Sequence, residues 1–257
     1  MEMLKLNAKG KRVLIIPDCH VPYHHPRMKE FLTEVKKLHK PDIVIHLGDE
    51  VDNHAISFHD SSVELFSAGA ELEKAIEYLQ SDLHSLFPKM YILESNHGSL
   101  LYRKLKHHGI LIAALKPLDR IYGTPRWSWH REIILETKLG PIYLCHGKSS
   151  IPGKLALAMG MSTIQGHFHG LFRLNWFKFA DNRQIFDCIS GCLIDPKSEA
   201  FAYGSNHIPK PILGCTVIHA NGLPCSRRYL LISSMMDSMA NVSKVVSKSL
   251  INSSSLI

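Results

Sequence analysis

At 257 residues with 45% hydrophobic residues, the chain is long enough to bury a substantial core and sits at the upper edge of what one domain usually holds. Its longest apolar runs, near residues 12–17 and 42–47, are far short of the ~20 residues that cross a bilayer, and no charged-then-apolar leader opens the sequence, so a soluble, cytoplasmic protein with no membrane partner is expected. The excess of 30 Lys and Arg over 23 Asp and Glu is compatible with an anionic partner such as nucleic acid, while six cysteines without paired spacing argue against a secreted disulfide scaffold.

Residues 12–17, Arg-Val-Leu-Ile-Ile-Pro, fit a short strand buried on both faces. Residues 26–40 read as an amphipathic helix, because Pro26 suits a first turn and Met28, Phe31, Leu32, Val35 and Leu38 recur at helical spacing. A second buried strand, 42–47, ends at Gly48-Asp49, and a long helical pattern over 63–87 is stopped by Pro88. The third strand, 90–94, runs into Ser95-Asn96-His97. Strand, helix, strand, helix, strand is the grammar of an α/β fold with a parallel sheet.

The second half is richer in strands. Residues 127–137 and 142–146 read as strands around the turn Leu139-Gly140-Pro141, 154–159 as a short helix, and 162–165 as a strand leading into Gly166-His167-Phe168-His169. Alternation over 171–179 and 184–189 predicts a hairpin with Asp181-Asn182 at its tip, and Asn221-Gly222 predicts another joining 216–220 to 228–232. This half is expected to build a second sheet packed on the first. The result is a four-layer α/β/β/α sandwich over residues 1–232, with a three-layer arrangement as the competitor. Residues 233–257 form a Ser-rich tail whose Met235, Met239, Val242, Val246 and Leu250 keep helical spacing. It reads equally as a short amphipathic helix that docks on the body or joins a homo-oligomer, and as a frayed terminus. Cys188 and Cys192 read as buried small residues rather than a redox or zinc pair.

Five elements carry the chemistry: Asp18-x-His20, Gly48-Asp49-x-x-Asp52, Asn96-His97, His146-Gly147 and Gly166-His167-x-His169. In open α/β sheets ligands collect beyond the carboxyl ends of the strands, and the first three elements each follow a predicted strand. Singly, each has an ordinary reading as a turn or a helix cap. Together they supply the carboxylate, amide and imidazole donors that hold zinc, manganese or iron, in the number two ions sharing one carboxylate require.

In this order the elements resemble the calcineurin-like metallophosphoesterases, whose pattern is DxH, GDxxD, GNH followed by an acid, a single His, and GHxH. Here it reads DCH, GDEVD, SNHG, CHG and GHFH over residues 18–169. The resemblance implies two divalent ions, manganese before iron or zinc. Asp18, His20 and His169 would hold one, Asn96, His146 and His167 the other, and Asp49 would bridge them and the hydroxide that attacks the phosphoester. His97 would serve as the acid beside the leaving oxygen, and Asp52 would orient a ligand imidazole. Three departures stand out: Ser95 replaces the usual Gly, Gly98 replaces the usual acid, which either removes a support for His97 or shifts that task to Asp52 or Asp119, and Asn53 stands where phosphoprotein phosphatases of this type carry a phosphate-gripping arginine.

Nucleic acid is accordingly the favoured substrate class, supported by the basic balance and by cations interleaved with aromatics at residues 126–131 and 172–178. The alternating core and surface positions of strands explain the second run better. The alternatives are a phosphomonoesterase of small molecules or phosphoproteins, and a non-catalytic binding protein that keeps the fold.

Overall fold

Why the chain forms two sheets is visible in its β-branched and leucine runs. In the computed structural model, which describes residues 3–58, 66–111, 113, 115–198 and 210–228, the strands are Leu4–Asn7 (β1), Val13–Ile16 (β2), Ile43–His46 (β3), Met90–Leu93 (β4), Trp127–His130 (β5), Ile133–Thr137 (β6), Gly140–Cys145 (β7), Ser162–Gln165 (β8), Phe172–Lys178 (β9), Gln184–Ser190 (β10), Gly214–Ile218 (β11) and Pro224–Arg228 (β12). They assemble into two six-stranded sheets, ordered β12-β11-β2-β3-β4-β5 and β1-β6-β7-β8-β10-β9. Strands β2 to β5 pair in parallel, and β11 closes against β2 in the antiparallel sense.

Alternation along β2 explains how the layers stack. Val13 and Ile15 point into the core between the sheets, with Ile45, Ile133, Leu144 and Ile164, whereas Leu14 and Ile16 face the helices on the outer side. That outer layer contains Met28–His39 (α1) and Ala68–Tyr78 (α2), which continues into a π-helical turn, Leu79–His84. The other sheet packs Tyr143 and Cys145 against Leu155 of Lys154–Met159 (α5). The architecture is therefore the expected α/β/β/α sandwich.

Several boundaries differ from expectation. Residues 127–137 are not one strand: the chain passes from β5 in one sheet to β6 in the other at Arg131 and Glu132. The hairpin at Asn221-Gly222 joins β11 to β12, so its second arm includes Pro224–Arg228, and it extends the first sheet rather than the second; residues 229–232 of the expected arm lie outside the described residues. Alternation identifies which face of a strand is buried, but it does not identify the partner strand. The long helix predicted over 63–87 begins at Ala68, where the Ser67 hydroxyl accepts a hydrogen bond from Ala70 N at 3.4 Å. Strand β1 and the helices Leu100–His107 (α3) and Leu118–Ile121 (α4) were not anticipated. The tail at 233–257 lies outside the described residues. Among the described residues, no helix is long and apolar enough to cross a membrane.

Candidate metal centre

All five motif segments lie just beyond carboxyl ends of strands: Asp18 after β2, Asp49 after β3, Asn96 after β4, His146 after β7 and His167 after β8. Cross-loop hydrogen bonds fix them to one another. The amides of Cys19 and His20 donate to Asp49 O at 3.0 and 2.8 Å, and Gly166 N donates to His146 O at 2.7 Å. His20, Asp49, Asn53 and His167 all have left-handed backbones, with φ of 51°, 49°, 55° and 67°. Such conformations carry strain outside glycine and concentrate at functional sites. Here they turn Asp18 with His20, and His167 with His169, toward common points.

The side chains converge in two groups that share one carboxylate. Asp18, His20, Asp49 and His169 each bring one ligand-type atom within 4.8 Å of the others, and Asp49, His146 and His167 form a second such group. Asp49 Oδ2 lies 3.4 Å from His20 Nε2 and 3.2 Å from His146 Nε2. Asn96 joins the second group through its Oδ1, 2.6 Å from His146 Nε2. His167 Nδ1 is 3.2 Å from that same nitrogen, and His169 Nε2 is 3.0 Å from Asp18 Oδ2. All seven candidate ligands are thus at one place, with Asn96 and His167 at its exposed rim.

The donor set fits a cation. Asp52 Oδ1 accepts from His20 Nδ1 at 2.5 Å, leaving Nε2 of that imidazole as an acceptor turned toward the Asp49 carboxylate. Burial lowers the His20 pKa, and the opposing pull of Asp52 does not reverse it. An acceptor facing an acceptor in a buried site calls for positive charge between them. His169 Nε2 also lies 3.3 Å from His20 Nε2, and Asp18 Oδ1 is buried without a hydrogen-bond partner. Close by, His146 Nδ1 donates to Leu47 O at 2.9 Å. Burial opposes protonation of His146, but the Asp49 and Asp18 carboxylates outweigh it and raise the imidazole to about 9. Burial also opposes ionisation of Asp49, yet His146 and His20 hold its carboxyl well below the usual carboxylate range. The His146 proton therefore supplies charge where a metal ion would supply more.

His97 sits at the edge of the first group. Its amide donates to Asp49 Oδ1 at 2.9 Å, and its Nδ1 lies 2.5 Å from Asp52 O and 3.3 Å from Asp52 Oδ1. With Nδ1–H engaged by Asp52, Nε2 is left to face outward. Its ring meets that of His20 edge to face at 4.5 Å. Asn53 Nδ2 donates to His97 O at 3.0 Å, so this residue braces the turn.

Each departure from the family pattern has a structural counterpart. Ser95 does not occupy a left-handed position. Its buried hydroxyl accepts from Asp49 N at 2.7 Å and Gly98 N at 3.1 Å, tying two motif loops together. A Cβ on Gly98 would come within 2.9 Å of that hydroxyl and 3.2 Å of a Glu50 carboxyl oxygen. The carboxyl beside this turn therefore belongs to Glu50, which the sequence did not single out, while Asp52 supports His97. Burial raises the Glu50 carboxyl to about 7 against the lowering effect of a 2.8 Å hydrogen bond from Trp129 Nε1.

The interleaved basic and aromatic runs are partly tied into the body: Trp127 is buried and donates to Phe87 O, Trp129 is tied to Glu50, and Arg173 pairs with Asp187 at 3.0 Å, whereas Trp176 is 45% exposed. A different cluster adjoins the site. Phe58 is 51% exposed, with Lys104 Nζ 4.1 Å and the Arg103 guanidinium 5.6 Å from its ring centroid. Arg103 also donates to Asn96 O at 2.5 Å. In the sequence Arg103, Lys104, Lys106, His107 and His108 form only a scatter of charge, and nothing in their spacing points to Phe58.

Among curated proteins, none matches this sequence significantly. Solved structures with a similar fold include Vacuolar Protein Sorting 29 from Cryptosporidium parvum, at 15% identity and a TM-score of 0.45, covering 84% of this chain and 86% of that one. YfcE, a phosphoesterase from E. coli, is 12% identical with a TM-score of 0.42, covering 80% and 87% respectively. Likenesses this distant speak to neither activity nor partners. The model of the calcineurin-like phosphoesterase family, by contrast, matches residues 11–195, a span that contains every candidate ligand. On that match, the chain belongs to the calcineurin-like phosphoesterase family.

Proposed function

We propose that the protein is a phosphoesterase that uses two divalent ions, manganese foremost, to cleave phosphodiester bonds in nucleic acid. The observation that carries the two-ion reading is the position of Asp49 Oδ2 between His20 Nε2 and His146 Nε2. Asp18, His20 and His169 would hold one ion, Asn96, His146 and His167 the other, and Asp49 both. Bound there, the ions supply Lewis acidity at the phosphate and lower the pKa of a water. Asp52 aligns His20 through Nδ1, as carboxylates commonly orient metal-binding imidazoles. His97 keeps Nε2 toward the leaving oxygen because Asp52 O engages its Nδ1–H, a placement suited to general-acid work.

The cluster around Phe58 supports the substrate class. An exposed ring can stack on a base while cations track phosphates, and Arg103 places those cations beside Asn96. Asn53, engaged with the His97 carbonyl, offers no guanidinium for a phosphoprotein. Hydrolysis of plasmid, single-stranded oligonucleotide, a bis-nitrophenyl diester and a nitrophenyl monoester with added manganese tests both parts. The expected outcome is cleavage of the oligonucleotide and the diester, weakening steeply with salt. Hydrolysis of the monoester alone would overturn the nucleic-acid reading, and absence of all four activities in metal-loaded protein would overturn the catalytic one.

A further inference from the structure

Behind the turn that carries Asn96 and His97 lies a separate cavity of about 580 Å³, walled by the end of β4, by β5, and by α3 and α4. None of the seven candidate metal ligands lines it. Its size falls within the range of small-molecule pockets, roughly 300–1,000 Å³, and its walls include the rings of Tyr102, Trp127 and Trp129. At its inner side Glu50 is fully buried. One carboxyl oxygen of Glu50 accepts from Trp129 Nε1 at 2.8 Å, while the other, Oε2, has no hydrogen-bond partner. A buried acceptor left unmatched is costly, so a ligand that brought a donor to it would be favoured. Glu94 and Asp119 add two more carboxyl groups, and no Lys, Arg or His is among the described lining residues.

We propose that this cavity is a second binding site, for a flat aromatic ligand bearing a cationic N–H donor, of the aryl amidine or aryl amine class. The rings match the aromatic body of such a ligand, through stacking and cation–π attraction. The Glu50 carboxyl matches its N–H group, and a lining whose ionisable side chains include carboxyl groups but no described cation discriminates against anions. The cavity also shares Ser95 with the metal centre, since that hydroxyl receives the Asp49 amide.

Binding is read by calorimetry on the full-length, manganese-loaded protein, with benzamidine as the probe and benzoate, of similar shape and opposite charge, as its counterpart. Manganese occupies the carboxylates of the metal centre, and the readout needs no turnover, so its failure is distinct from failure of the phosphoesterase reading. Benzamidine is expected to bind at least about tenfold more tightly than benzoate, because charge complementarity sets the preference. Glu50→Gln should weaken benzamidine about tenfold and Tyr102→Ala about fivefold. Tyr102 is only half-buried, so its truncation keeps the test decisive if Glu50→Gln does not fold. Equal binding of the two probes, no binding of benzamidine, or benzamidine binding unchanged by Tyr102→Ala would overturn the assignment.

Discussion

Ser95→Ala removes an oxygen that the structure uses twice. The Ser95 hydroxyl accepts from Asp49 N at 2.7 Å and from Gly98 N at 3.1 Å, and both hydrogen bonds are buried. Alanine leaves two amides without an acceptor, and each buried unsatisfied group costs about 1–3 kcal/mol. Allowing for partial relaxation, the variant should lose about 2–4 kcal/mol of stability, read as a lowered urea midpoint with an unchanged slope. The same change frees the amide next to the carboxylate shared by the two groups of ligands. The manganese concentration for half-maximal hydrolysis of a bis-nitrophenyl diester should therefore rise about tenfold, the equivalent of about 1.4 kcal/mol. Ser95→Gly, although it restores the residue usual in the family, should not rescue either property, because it supplies no acceptor. A stability change below about 0.5 kcal/mol together with an unmoved manganese midpoint would refute the role assigned to this hydroxyl.

Three further outcomes follow from the same geometry. Asp52→Asn keeps an acceptor for His20 Nδ1 but removes the charge behind it, so manganese affinity should fall about 10–100-fold; an unchanged manganese titration would contradict its positioning role. His97→Ala should cut the hydrolysis rate about 10²–10⁴-fold while metal content stays at the unsubstituted level. Loss of metal in proportion to rate would instead make His97 a ligand. His46 is fully buried, accepts from Gly48 N at 3.1 Å, and is lowered by burial to about 4. The unfolded chain takes up a proton that the folded chain refuses. The contribution of His46 to stability is therefore complete above its ordinary pKa of 6.5 and is lost as pH falls from there toward about 4, at about 1.4 kcal/mol per pH unit. His46→Asn, whose side-chain oxygen can still accept from Gly48, should flatten urea-unfolding stability over that window by this amount. Parallel pH profiles for the two proteins would rule the mechanism out.

Much of the site was legible because its chemistry is local to strand ends. Asp18, Asp49 and Asn96 each follow an apolar run that can only be a buried strand, so their convergence follows from the parallel order of β2, β3 and β4. Less local features were not legible. That Glu50 fills the place left open by Gly98 depends on two loops meeting, and no spacing within either loop encodes it. Strand pairing was hidden for a related reason. Residues 127–137 hold strand-forming residues on both sides of Arg131 and Glu132, and it is these two that carry the chain between sheets. Helix α3 was missed because Leu100 is its only fully buried residue and basic side chains dominate the rest. Its cations gain a place beside the site through the exposed Phe58, which comes from a different segment of the chain.

Metal stoichiometry tests the central claim most directly. Protein purified with manganese and freed of unbound ions should contain two ions per chain by elemental analysis. Asp49→Asn, which weakens the carboxylate shared by both groups of ligands, should hold clearly fewer while remaining folded by circular dichroism. Fewer than one ion per chain in the unsubstituted protein, or an undiminished pair of ions in Asp49→Asn, would contradict the two-ion centre built around Asp49.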